Sequence, residues 1–205
     1  DGVAGRAKID IFMLHPLGRV SDVQRRQMTT VLAPNVYNVA IKGSFDDAQA
    51  IVKALFNDRA FNGRFTLSAV NSINWARLMA QIVYYFYTAV RLGAPDRPIA
   101  YSVPTGNFGD VFAGYVAERM GLPIERLIVA TNVNDILHRA LTTGYYSCGT
   151  VTATATPSMD IQVSSNFERL LFDLGGRDGV AMAAQMAGFE SSKAMQLTNA
   201  QRQGA

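Results

Sequence analysis

Pro98-Ile99-Ala100-Tyr101-Ser102-Val103, then Pro104-Thr105-Gly106-Asn107-Phe108-Gly109-Asp110, then Val111 through Met120, is the stretch on which the fold is decided. The first six residues form a short apolar run and read as a buried strand. The middle seven carry two glycines three apart, so the backbone can bend sharply and approach a ligand with no Cβ in the way. The last ten read as a helix stopped by Gly121 and Pro123. In that arrangement the amides of Gly106 through Gly109 are expected to point outward at a helix N-terminus. Unpaired amides and the positive end of the helix dipole together make a seat for phosphate. The stretch is not a Walker loop, since no Gly-Lys-Ser/Thr follows. It also lacks the third glycine of the dinucleotide fingerprint. Asp110 is unfavourable beside a highly charged anion and reads better as a helix cap or a brace behind the loop. An ordinary strand-to-helix turn has the same outline.

On both sides, short apolar runs alternate with longer amphipathic ones, which predicts an α/β fold of open parallel sheets with crossover helices. Strands are expected at Ile9–Leu14, Asn38–Lys42, Phe65–Val70, Pro98–Val103 and Leu127–Thr131. Helices are expected over Asp22–Val31 after a Ser21 cap, Phe45–Phe56 after a Ser44/Asp47 capping box, and Ile73–Leu92 after a Ser72 cap. Further helices follow Val111–Met120: one from Asn134 or Asp135 through Leu141, then Asn166–Leu174 and Val180–Met186. Asn57–Arg64 is polar, contains a glycine and reads as a loop. A lobe boundary there divides the chain into 1–64 and 65–205. Thr150–Thr156 reads as a loop or edge segment, and the polar tail from Ser191 as fraying.

The composition excludes several classes. With 49% hydrophobic and 17% charged residues, the 205-residue chain has too much apolar content for a disordered one. A formal charge of +3 without a basic stripe argues against nucleic acid. The longest apolar stretch, Leu78–Val90, is too short to span a bilayer and contains Gln81. Cys148 is the only cysteine, so neither an internal disulfide nor a thiolate metal cluster is available. With no Asn-x-Ser/Thr acceptor either, a reducing, cytoplasmic setting is expected. The abrupt opening at Asp1-Gly2 suggests a piece of a longer protein.

A second candidate segment is Ser68 through Arg77, at the junction of an expected strand and helix, where open parallel sheets bind ligands. Asn71, Ser72 and Asn74 can donate to an anion, and Arg77 can add charge-assisted bonds. Read singly, Ser72 is a cap and Arg77 a solvated residue. A third junction offers Arg19, Ser21 and Gln24, with Arg25 and Arg26 on different faces. His15 and His138 have no partner at metal-ligand spacing, and neither lies in a serine-hydrolase pattern. Cys148 reads as a small packed residue, and Tyr84-Tyr85-Phe86-Tyr87 as core and interface.

Several strings resemble the threonine synthase family: Gly18-Arg19-Val20-Ser21 with Gln24 through Met28, Ser72-Ile73-Asn74-Trp75-Ala76-Arg77, Pro104 through Asp110, and Ala130 through Leu137. Thr156 through Ile161 and Ser164-Ser165-Asn166-Phe167-Glu168-Arg169 resemble it as well, so the match is collinear from about Ile9 to Asp178. The resemblance implies a two-lobed, fold-type-II enzyme dependent on pyridoxal 5'-phosphate, in the tryptophan-synthase-β-like superfamily. It would be a lyase of amino-acid and threonine biosynthesis, converting O-phospho-L-homoserine and water to L-threonine and phosphate. It also implies that Gly106, Asn107, Phe108, Gly109 and Asp110 hold the cofactor phosphate. Position and chemistry assign the substrate phosphate to Asn71, Ser72, Asn74 and Arg77. The family's Schiff-base lysine lies in a Phe-Lys-Asp context. Lys8, Lys42, Lys53 and Lys193 are the lysines here and none has it, so no catalytic residue is assigned and the chain is expected to be inactive without the missing parts of its parent. The rivals are a non-catalytic phosphate-binding module derived from such an enzyme, or a serine or threonine dehydratase of the same superfamily.

Overall fold

A computed structural model describes residues 2–204 and divides the chain into two compact units, Asp1–Ser68 and Ala69–Ala205. In the first, β1 (Ile11–Pro16) and β2 (Val36–Ile41) pair in parallel. Helix α1 (Asp22–Thr29) crosses between them, and α2 (Phe45–Asn57) follows. Both helices start with a reciprocal capping box, Ser21 with Gln24 and Ser44 with Asp47. The carboxylate of Asp47 therefore satisfies the Ser44 amide at 2.7 Å, in the role usually given to Glu or Gln. Asn57–Arg64 is not the expected loop. Asp58 accepts from the amides of Ala60 and Phe61, and that cap nucleates a short helix, α3 (Arg59–Arg64).

Phe65–Val70, expected as a strand, is not one. Its β-forming residues pair with no neighbouring strand, the Phe65 amide is used to close α3 on Phe61, and Val70 is 80% exposed. Strand propensity without a ladder partner does not make a strand.

The second unit is built on β3 (Ile99–Pro104) and β4 (Ile124–Ala130), again parallel, joined through α5 (Gly109–Arg119). Helix α4 (Trp75–Arg91) packs on α5. The buried core runs through Leu78, Tyr85 and Ala89 of α4, Val103 of β3, and Val111, Ala113 and Ala117 of α5. Gly114 permits the close approach: a Cβ there would lie 2.6 Å from the Tyr85 ring and 2.9 Å from Leu127. Gly114→Ala should therefore destabilise the protein by about 1–3 kcal/mol, despite the better helix propensity of alanine. The measurement is the urea midpoint, which should fall. Of the aromatic run on α4, Tyr85 is core, while Tyr84 and Tyr87 are exposed.

Helix α6 (Ile136–Thr143) ends at Gly144 in the left-handed conformation and leads into β5 (Tyr145–Ser147). Then come α7 (Phe167–Leu174), α8 (Gly179–Ser192), β6 (Ala194–Gln196) and α9 (Asn199–Gly204). The tail from Ser191 thus does not fray. Residues 194–196 pair antiparallel with β5, and the buried Gln201 side chain donates to the Leu171 carbonyl at 3.1 Å. Tertiary hydrogen bonds override its polar composition. No described helix is long and apolar enough to cross a membrane.

Candidate functional site

The site lies at the C-terminal end of β3, where the ladder stops. The Thr105 amide still bonds across to Ala130 at 2.8 Å, so it belongs to the sheet. Beyond it, the amides of Gly106, Asn107, Phe108, Gly109, Asp110 and Val111 have no acceptor among the described residues. The first amide of α5 to be satisfied is Phe112, on the Phe108 carbonyl. Six consecutive unpaired N–H groups at a helix N-terminus form an anion cradle.

Two carbonyls of the same loop are engaged from behind. The Ser164 hydroxyl donates to the Gly106 carbonyl at 2.7 Å. The Asn166 amide donates to the Asn107 carbonyl at 3.1 Å, and its side-chain Nδ2 reaches the same oxygen at 3.0 Å. Phe108 is left-handed, with φ 62°, a conformation that costs a non-glycine residue about 1–2 kcal/mol. Its ring is held in the core, edge-on to Phe167 with centroids 5.2 Å apart, and that packing sustains the backbone turn.

Gly106 has little room on its outer side. A Cβ would meet the Ser158 carbonyl oxygen at 3.0 Å. That oxygen belongs to a 3-10 turn, Pro157–Met159, within the segment 150–161. The segment has no regular structure up to that turn and is held by side chains instead. Asp160 accepts from Asn132, Asn134 and the Thr154 hydroxyl at 2.8, 3.1 and 2.7 Å, and from the Thr154 amide at 2.8 Å. The sequence reads Thr150–Thr156 as a loop or edge segment and does not single out the Asp160 carboxylate that organises it. Its signal was a lone acid downstream of a run of threonines.

The Asn71–Arg77 segment lies against the same loop. Ser72 does not cap α4. Asn74 does, its Oδ1 accepting from the Ala76 amide at 2.9 Å, and the helix begins at Trp75. The Asn74 Nδ2 donates to the Ala69 carbonyl, so both ends of this side chain build the turn. Asn71 accepts from the Ile73 amide at 3.0 Å. The Asn71 Nδ2, the Ser72 hydroxyl and the exposed Arg77 guanidinium have no partner among the described residues. A Cβ on Gly109 would lie 3.6 Å from the Ser72 carbonyl oxygen, which places the two segments side by side.

One side chain joins them. Asn166 is fully buried, and its Nδ2 donates to the Ser72 carbonyl at 2.8 Å as well as to Asn107. Arg169 donates to the Asn166 Oδ1 at 3.0 Å and to the Ile73 carbonyl at 2.9 Å, with its guanidinium over the Trp75 ring at 5.7 Å. The sequence places Asn166 and Arg169 in a helix and in a string resembling the family, with no role assigned to either.

Asp110 neither caps α5 nor pairs with a cation. Burial raises its carboxyl above the ordinary range, and the Tyr85 hydroxyl donates to its backbone carbonyl at 2.9 Å. In the first unit, Ser21 and Gln24 satisfy each other's amides and Arg25 pairs with Asp22 at 3.4 Å, so these side chains fix the start of α1. No described group of three or more His, Cys, Asp or Glu is arranged to hold a metal ion.

The parallel strand pairs with crossover helices are the fold of fold-type-II pyridoxal-phosphate enzymes, and solved structures of that class match it. Within that class the chain is similar to threonine synthases. It is 61% identical over 184 residues to the threonine synthase of Pseudomonas aeruginosa, covering 90% of this chain and 39% of that protein. The crystal structure of threonine synthase from Brucella melitensis, described as PLP bound, matches 98% of this chain and 43% of that chain, with a TM-score of 0.85 and 56% identity. The yeast enzyme matches 99% of this chain and 42% of that one, with a TM-score of 0.83 and 42% identity. The chain thus spans about two fifths of the length of these relatives. No protein-family model matches it.

Proposed function

We propose that this chain is the part of a threonine synthase that receives the phosphate of pyridoxal 5'-phosphate and positions O-phospho-L-homoserine. The observation that carries the reading is the row of unpaired amides from Gly106 to Val111, backed by carbonyls already engaged on the other side. Gly106, Asn107, Phe108, Gly109 and Asp110 would hold the cofactor phosphate through their N–H groups and the α5 dipole, with no side-chain cation required. When bound, the cofactor supplies an electron sink for carbanions at the substrate's carbon atoms. The chain's own contribution is to fix that ring against the substrate.

The substrate phosphate falls to Asn71, Ser72 and Arg77, whose donors are free, with Asn74 shaping the turn that presents them. In the protein carrying this sequence with its catalytic lysine, Arg77→Ala should raise KM for O-phospho-L-homoserine at least about tenfold with kcat little changed, since a charge-assisted bond is worth about 1.5–3 kcal/mol. An unchanged KM refutes this assignment.

The first unit corresponds to part of the small lobe and the second to the cofactor-binding domain. None of Lys8, Lys42, Lys53 and Lys193 has the Phe-Lys-Asp context, so the 205-residue chain alone should release no phosphate from substrate. The lone Cys148 thiol, which donates to the Gln162 carbonyl at 3.2 Å, suits a reducing cytoplasm. The test of the whole reading is phosphate release and threonine formation by the longer protein with added cofactor. Cofactor binding without turnover would point to a degenerate binding module instead.

A further inference from the structure

A cradle of amides works only if the peptide planes face the ligand, and a glycine-containing loop has no intrinsic reason to hold them so. In a trans peptide the C=O of one residue and the N–H of the next point in opposite directions. Tying the Gly106 carbonyl to the Ser164 hydroxyl therefore aims the Asn107 N–H away from Ser164. Tying the Asn107 carbonyl to Asn166, through both its backbone and its side-chain amide, aims the Phe108 N–H the same way. Ser164 is 3% exposed and Asn166 0%, so water does not compete for these bonds. Arg169 fixes the Asn166 amide by holding its Oδ1, and the same Nδ2 that aims the loop also holds the Ser72 carbonyl.

We infer that Ser164 and Asn166, with Arg169 behind them, are positioning residues that set the affinity of the Gly106–Val111 amides for phosphate. They also lock the Ser72–Arg77 turn to that cradle. They touch no ligand themselves; they act through the orientation of peptide planes. This rests on the reading of the loop as a phosphate site.

The experiment compares two probes, pyridoxal 5'-phosphate and pyridoxal, on the full-length protein carrying this sequence. The pair differs only in the phosphate, so the ratio of their dissociation constants isolates the cradle. The wild type should bind the phosphorylated probe far more tightly. Ser164→Ala removes one aiming bond and should shrink the ratio by ~10-fold while leaving pyridoxal affinity unchanged. Ser164→Thr, which keeps the hydroxyl, should restore it. Asn166→Leu is close in shape and uncharged, so it adds no electrostatic effect on the phosphate, and should shrink the ratio by ~100-fold.

If the Asn166 variant does not fold, the Ser164 pair decides alone. A wild type that binds both probes equally overturns the phosphate site itself. A normal wild-type ratio that Ser164→Ala leaves intact overturns the positioning role, as does an equal loss of affinity for both probes.

Discussion

Phe167→Ala is expected to destabilise the protein by about 3–5 kcal/mol, the range for truncating a fully buried aromatic residue. Phe167 is 1% exposed and lies between Phe108 and Tyr146, each with ring centroids 5.2 Å away. The cavity would remove the edge contact that keeps Phe108 in its left-handed turn. Without it, the backbone strain there favours relaxation of the loop. Two effects should therefore appear together: a lower denaturation midpoint, and weaker binding of pyridoxal 5'-phosphate even where the variant remains folded. A midpoint shift with unchanged cofactor affinity would show that Phe108 holds its conformation by other means.

Gly106→Val should have the larger functional effect. A Cβ at this position already meets the Ser158 carbonyl at 3.0 Å and Met159 Cα at 3.4 Å, and the branched side chain adds two more atoms. Either the Pro157–Met159 turn moves out or the glycine loop moves back. The first is resisted by the four hydrogen bonds that hold Asp160, immediately after the turn, and the second by Ser164 and Asn166. Misaiming several amides at once should weaken cofactor binding at least ~100-fold, about the worth of two hydrogen bonds to a charged group. Spectroscopic titration with pyridoxal 5'-phosphate measures this directly. Binding within threefold of the parent would mean the ligand approaches from another side.

Much of the scaffold was legible in the residues. The strand at Pro98–Val103 and the helix after Asp110 follow from an apolar run, two glycines and a Gly/Pro stop, and they lie within two residues of β3 and α5. The Ser21 cap and the Ser44 capping box were readable because such caps are local, set within three residues of the chain. Two errors fall where a distant partner decides. Phe65–Val70 has strand-forming residues and no strand to pair with, while residues 194–204 are polar yet ordered by β5 and the Leu171 carbonyl. Ser72 lost the cap to Asn74, a choice between two competent residues that the fit of the turn onto Ala69 made.

The sequence by itself determined that unpaired amides follow β3, because the first turn of a helix leaves its N–H groups without carbonyl partners and the two glycines let the preceding loop extend the row. Which way those amides face was decided by tertiary structure. Ser164 and Asn166 stand 58 and 59 residues from the carbonyls they hold, and no local pattern encodes such a bond. A peptide plane can rotate at little local cost, so its orientation belongs to whichever part of the fold supplies the hydrogen bonds behind it.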